Sequence, residues 1–174
     1  MAGEITYKQI MTELKKNQYR PVYYLSGEEP YFIDRISDYI ENNAIPEEER
    51  DFNQLVVYGL DTTMQNVLER ARSYPMMGER QVIIVKEAQH LSRDQELLSA
   101  YLTMPQEKTV LVFCHKNGSL DKRKKVSGEL AQKGIVFTSK KLKDEQMTQF
   151  VCDCAEEKGL AIDAKASSMI VEFV

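Results

Sequence analysis

The residues able to act on a substrate are few and scattered. Four carboxylates, Glu28, Glu29, Asp34 and Asp38, gather around Pro30. Their spacing suits no particular metal, and acids at a helix start already offset the helix dipole. Two histidines, His90 and His115, each stand near the end of an apolar run. A layered α/β protein places catalysis there, but a lone loop histidine is more often a surface or hydrogen-bonded residue. No G-x-S-x-G nucleophile turn occurs. The cysteines are three, Cys114, Cys152 and Cys154, a count without a disulfide framework. Cys152 and Cys154 sit two apart in a helical stretch, hence about 200° apart around it, and cannot grip one metal. They read as buried small hydrophobes. No catalytic residue, metal site or cofactor is expected.

Phosphate chemistry needs a loop of the form G-x-x-x-x-G-K-[ST] after the first strand, whose backbone N–H groups and lysine hold the phosphates. That place holds Ser26-Gly27-Glu28-Glu29-Pro30-Tyr31, with one glycine, no lysine and two carboxylates that repel a nucleotide. The third strand also lacks a metal-binding acid at its end, since Val85 leads into Lys86-Glu87. Two further segments could bind rather than react. Ser73-Tyr74-Pro75-Met76-Met77-Gly78-Glu79-Arg80-Gln81 carries an adjacent methionine pair between a proline and a glycine, residues that force a tight turn. Methionine is flexible and polarizable and suits a binding knob, but the same pair could tuck onto a sheet as core. The run Lys122-Arg123-Lys124-Lys125, with Lys116 and Lys133 nearby, could meet phosphates or form a solvated face. It has no interleaved aromatics for base stacking. Asn117-Gly118-Ser119 reads as a turn.

The elements that position these residues alternate in kind. Helical spacing over Tyr7–Leu14 ends at Arg20-Pro21, and Val22–Leu25 is a continuous apolar strand. Phe32, Ile33, Ile36, Tyr39 and Ile40 form the next helical face, with Pro30 in its first turn. Leu55–Tyr58 is a strand; Asp61 or Thr62 is the expected cap of a helix with face Met64, Val67, Leu68 and Ala71. Val82–Val85 is the strongest strand signal, by its branched side chains. Ser92 and Gln95 make a capping-box pair before Leu97, Leu98, Tyr101 and Leu102. Val110–Cys114 is a strand, a basic helix is expected over Asp121–Gln132, and Gly134 precedes a last strand, Ile135–Phe137. Strands apolar on both faces require a parallel sheet covered by helices, so the fold class is α/β with five parallel strands.

Beyond Thr138 the pattern changes. Lys140, Lys141 and Lys143 make a polar hinge. Met147, Phe150, Val151 and Cys154 line one helix, ended by Lys158-Gly159. Asp163 caps another, with Ala166, Met169, Ile170 and Phe173. The expected organisation is a first domain over 1–140 and the start of a helical second domain over 141–174. The chain stops inside that last helix and reads as a piece of a longer protein. Its 174 residues, 43% hydrophobic and 29% charged with net charge −4, are a globular balance. No apolar run reaches the roughly 18–20 residues a membrane span needs. Met1–Lys8 has no leader pattern, and a cytoplasmic protein without a membrane partner is expected.

Three segments resemble the delta subunit family of the bacterial DNA polymerase III clamp loader. The first is Arg20-Pro21-Val22-Tyr23-Tyr24-Leu25-Ser26-Gly27-Glu28-Glu29-Pro30-Tyr31-Phe32-Ile33, which is similar to the family's strand, glycine, acidic pair and helix start. The second is Pro75-Met76-Met77-Gly78-Glu79-Arg80-Gln81 followed by Val82-Ile83-Ile84-Val85. The family has two bulky apolar residues, a small one, a polar one and Arg-Gln before its third strand. The third is Lys116-Asn117-Gly118-Ser119-Leu120-Asp121-Lys122-Arg123-Lys124-Lys125, similar to the family's polar turn and basic helix.

The resemblance implies an AAA+-like domain without a P-loop, followed by a lid-type helical domain. It also implies a subunit without catalysis of its own, which binds the ring-shaped sliding clamp (the beta subunit) and helps open it, while sister clamp-loader subunits use ATP. DNA would be met only indirectly or weakly, through Lys122, Arg123, Lys124 and Lys125. The inserting residues would be Met76 and Met77, where the family often has leucine and phenylalanine. Tyr74, Pro75 and Arg80 would frame them, and Gly78 would allow close approach. Two other readings stand beside this one: an α/β nucleotide-binding or phosphoryl-transfer enzyme with a degenerate loop, and an interaction scaffold whose methionines are core.

Overall fold

The computed structural model describes residues 5–121 and 123–173. Lys122, one of the four residues of the basic run, lies outside the described residues, as do Met1–Glu4 of the leading segment. In chain order the elements are α1 Tyr7–Lys15, β1 Val22–Gly27, α2 Pro30–Asn43, a 3-10 turn Glu47–Glu49 running into α3 Arg50–Asn53, and β2 Gln54–Tyr58. They continue with α4 Met64–Arg72, β3 Gln81–Lys86, a 3-10 segment Ala88–Asp94, α5 Gln95–Thr103, β4 Thr109–Lys116, α6 Lys125–Lys133, β5 Ile135–Ser139, α7 Asp144–Glu157 and α8 Ala164–Phe173. The chain divides into two compact units, Met1–Ser139 and Lys140–Val174.

In the first unit all strands run parallel, in the order β2-β3-β4-β1-β5. Val22 pairs with Leu111, and Leu111 pairs in turn with Ile83. Every residue of β1 is buried, and in β4 all but Lys116 are. That is why these strands read as unbroken apolar runs: helices cover both of their faces. One face packs Tyr24, Ile83, Val85, Leu111 and Phe113 with Leu68, Leu98, Tyr101 and Leu130 of α4, α5 and α6. Helices α1 and α2 bury Ile10, Leu14, Ile33, Ile36 and Ile40. Truncating any of these to alanine costs about 2–5 kcal/mol.

Helix starts follow local hydrogen bonding. Thr6 and Gln9 close a capping box on α1, and the Glu29 carboxylate caps α2 by accepting from the Tyr31 N–H at 3.2 Å. Helix α4 is capped by Thr63, whose hydroxyl accepts from the Asn66 N–H, and not by Asp61 or Thr62. The Asp61 N–H is used in a turn with the Tyr58 carbonyl, which delays the helix. The expected Ser92–Gln95 capping box does not form. Residues 88–94 make a 3-10 segment, and the buried Gln95 side chain donates across the core to the Tyr24 hydroxyl at 2.9 Å. Helix α6 begins at Lys125 rather than Asp121, because the Asp121 carboxylate accepts from the Arg123 N–H and its carbonyl accepts from the Ser127 hydroxyl, holding a turn there.

In the second unit α7 and α8 pack on one another. Gly159, at φ 69°, breaks the chain after α7. The Asp163 carboxylate caps α8, accepting from the Ala166 N–H at 2.7 Å. No helix among the described residues is long and apolar enough to cross a membrane.

Candidate functional site

At the C-terminal end of the sheet, the place of a phosphate loop is filled by the protein itself. Gly27 has φ 134°, and a Cβ there would stand 2.0 Å from the Ser139 carbonyl oxygen. The next amide, Glu28 N–H, donates to that same carbonyl at 3.0 Å. The Ser139 hydroxyl donates back to the Glu29 carbonyl at 2.8 Å, and the Asn117 N–H donates to the Gly27 carbonyl at 3.0 Å. With Glu29 capping α2, the donors that would greet an anion are engaged. The strand-end lysines are engaged too. Lys116 Nζ lies 2.7 Å from Asp34, and Lys86 Nζ lies 3.3 Å from Glu41 and 3.9 Å from Asp38. The carboxylates of α2 therefore neutralise lysines, and no cluster of metal-ligating side chains occurs among the described residues.

The two histidines part company. His90 is exposed, with Nε2 3.9 Å from Glu87. His115 is buried in β4, where its Nδ1 and the Tyr24 hydroxyl share a hydrogen bond of 2.8 Å. Tyr24 in turn accepts from Gln95, so a buried relay Gln95–Tyr24–His115 crosses the core. Burial pushes the His115 imidazole below its ordinary value and the Tyr24 phenol above its own. Cys114 is buried beside Ser37, with its thiol pushed up to about 12 by desolvation, and is inert. Cys152 and Cys154 are only half-buried, so they are not the core residues their type suggests.

At the opposite end, between α4 and β3, the methionine turn projects from the sheet. Met76 is 56% exposed and Met77 94%, with Tyr74 at 72% beside them. The core alternative for this pair is thereby corrected: the methionines are at the surface. What holds them out is polar and buried. Asn53, only 1% exposed at the end of α3, grips the backbone of Met76 on both sides. Its Oδ1 accepts from the Met76 N–H at 2.6 Å, and its Nδ2 donates to the Met76 carbonyl at 2.7 Å. Gly78 lies against the same group. A Cβ there would meet Asn53 Nδ2 at 2.8 Å and the Glu49 carboxylate at 2.2 Å. Between the pinned Met76 and the close-packed Gly78, Met77 takes φ 56°, a left-handed conformation that side chains avoid at a cost of about 1–2 kcal/mol.

The turn's ends are fixed as firmly. The buried Gln81 amide donates to the Ser73 carbonyl at 2.5 Å and to the Thr109 hydroxyl at 2.8 Å. Arg80 is half-buried; its guanidinium donates to the Ala44 carbonyl at 3.1 Å and lies 4.5 Å from the centre of the Tyr19 ring. Arg80 thus anchors the turn from below. Pro75 is half-buried at its entry, and Phe52, next to Asn53, is 55% exposed. Reading the sequence singled out the methionines, the proline and the glycine but missed Asn53. A single asparagine before a strand carries no periodic signal.

The described residues of the basic run are solvated. Arg123 folds back on Asp121, Nε to Oδ1 at 3.0 Å, and Lys125 pairs with Glu129 at 3.3 Å. Arg123, Lys124 and Lys125 are all exposed.

Known proteins bear on this arrangement. The family model for the delta subunit of DNA polymerase III matches residues 23–140. The DNA polymerase III subunit delta of Bacillus subtilis (strain 168) is 27% identical over 174 residues, covering 95% of this chain and 50% of that protein. Among solved structures, a DNA clamp loader delta protein from Bacillus subtilis superposes with a TM-score of 0.81 at 25% identity, over 95% of this chain and 52% of the other. A DNA polymerase III gamma subunit-related protein from Thermotoga maritima shares the fold, with a TM-score of 0.51 at 13% identity, over 86% of this chain and 52% of the other. The sheet is that of an AAA+-like α/β domain, and the chain spans about half the length of these relatives. The chain belongs to the DNA polymerase III delta subunit family.

Proposed function

We propose that this chain is the clamp-binding part of a clamp-loader subunit, and that Met76 and Met77 insert into an apolar pocket of the replicative sliding clamp. The observation that carries the reading is the exposure of both methionines, 56% and 94%, at the tip of a turn whose backbone is pinned from inside. A backbone already pinned in the free chain spares the cost of ordering the loop on docking, which favours binding. Tyr74 and Pro75 flank the pair in the turn, the exposed Phe52 adjoins the Asn53 that grips Met76, and Gly78 and Arg80 support it.

The mechanism is differential binding. A plug that binds an open clamp better than a closed one shifts the ring toward opening by that difference in affinity and no more. The subunit needs no chemistry for this. The filled loop at Gly27 and the engaged Glu28 N–H support a subunit without nucleotide hydrolysis, with ATP used by sister subunits in the cytoplasm. The same features disfavour a degenerate nucleotide enzyme. The basic run Lys122, Arg123, Lys124 and Lys125 adds weakly to DNA binding by the assembled loader. Neutralising it lowers DNA affinity by less than about tenfold, and unchanged affinity would remove it from the account.

A release assay tests the opening step. Clamp rings loaded on closed circular DNA are mixed with this chain, and ring loss is followed with time. Faster loss with the chain, abolished by Met76→Ala with Met77→Ala, is expected. Equal loss with and without the chain would reduce the function to docking.

A further inference from the structure

We infer that Asn53 is the positioning residue of the methionine turn: its amide sets the backbone of Met76 so that Met77 is presented in its left-handed, almost fully exposed state. The inference rests on the clamp-docking reading for its consequence, though not for its geometry.

The reasoning starts from burial. An amide that is 1% exposed must satisfy its donors and acceptor inside the protein, and Asn53 does so on the N–H and carbonyl of one residue, Met76. Such a pairing copies the two bonds that a neighbouring strand residue would make. It fixes both dihedrals at the base of the turn, because rotating Met76 would strand two buried polar groups at once. A Cβ at Gly78 would stand 2.8 Å from the Asn53 amide nitrogen, so glycine lets the backbone pass close to it. Met77 follows the fixed Met76 directly and takes the positive φ of 56°. Asn53 itself is fixed from behind, since the carbonyl of the adjacent Phe52 accepts from Arg70 Nη2 at 2.9 Å. The knob is therefore a preset shape rather than a loop that orders on contact.

Two measurements test this. The first needs no clamp: amide hydrogen exchange of the free chain. Asn53→Ala speeds exchange of the Met76 N–H by about a hundredfold while amides of β3 keep their protection, because only the local bond is lost. Equal Met76 exchange in both chains would overturn the inference. The second is a double-mutant cycle on affinity for the sliding clamp, with Met77→Ala as the partner change. Asn53→Ala weakens binding about tenfold when Met77 is present and about twofold or less when it is alanine. An equal loss in both backgrounds would mean that Asn53 only stabilises the fold. Should Asn53→Ala fail to fold, Gly78→Ala, which crowds the Asn53 amide without removing it, takes its place in both measurements with the same expected outcomes. A chain that binds no clamp refutes the docking reading and leaves the exchange result to decide on Asn53.

Discussion

The two ends of the parallel sheet are built to opposite purposes. At the C-terminal end, where this fold usually receives a ligand, polar groups are consumed by one another. Ser139 takes the Glu28 N–H, Glu29 caps α2, and Lys86 and Lys116 meet Asp38, Glu41 and Asp34. At the N-terminal end, buried polar groups are spent on holding apolar side chains in water. Asn53 and Gln81 lock the backbone, and Met76, Met77 and Tyr74 are left uncovered. At the first end the Glu28 amide is bonded to Ser139 and the strand-end lysines to the carboxylates of α2; at the second the bonds point inward and the apolar side chains outward.

The strongest way to break the closed end is Gly27→Ala. Its Cβ would collide with the Ser139 backbone at a φ open only to glycine, so unfolding free energy falls by about 3 kcal/mol or more. Urea denaturation reads this, and a change within experimental error would show that the closure is loose. Next in size is Tyr24→Phe, which strands Gln95 and His115 in the core and costs about 1–3 kcal/mol.

The same relay gives a pH dependence. His115 is held below its ordinary value of 6.5, so its neutral form is the one the fold favours. Its contribution is complete above that value and is lost as pH falls below it, when the unfolded chain takes up a proton that the folded one resists. The urea midpoint should drop between pH 7 and 5.5, and His115→Asn should flatten that drop; an equal drop in both chains would assign it elsewhere.

A smaller change separates charge from closure. Glu29→Ala removes the cap of α2 for about 1 kcal/mol. Together with Glu28→Ala it should bring no ATP binding at millimolar nucleotide by calorimetry, because Ser139 still occupies the amide. Micromolar binding would show that the carboxylates alone had kept nucleotide out. Smallest of all, Arg123→Ala with Lys125→Ala should leave the unfolding midpoint in place, since both side chains are solvated.

The sheet was legible in the sequence because its strands are covered on both faces and its helices on one. Val22–Leu25, Val82–Val85 and Val110–Cys114 announce burial directly, and each falls inside a strand. The order of the strands, β2-β3-β4-β1-β5, is written in no local pattern of the chain. Caps were read less well. Thr63 rather than its neighbours takes α4, and Gln95 is drawn away from Ser92 by the Tyr24 hydroxyl, a partner 71 positions distant. Such choices depend on which buried group is short of a bond, and no local pattern records that. The turn shows both sides. Proline and glycine marked it, but whether its methionines face in or out is settled by Asn53, 23 positions earlier.

Calorimetric binding of this chain to the replicative sliding clamp of its own organism, beside the Met76→Ala, Met77→Ala chain, tests the central claim most directly. The account predicts that wild type binds, that the double variant loses about 2 kcal/mol or more of binding free energy, as expected for a hot spot, and that its unfolding midpoint is unchanged. Equal binding by the two chains would place the contact elsewhere, and no binding by either would contradict the claim.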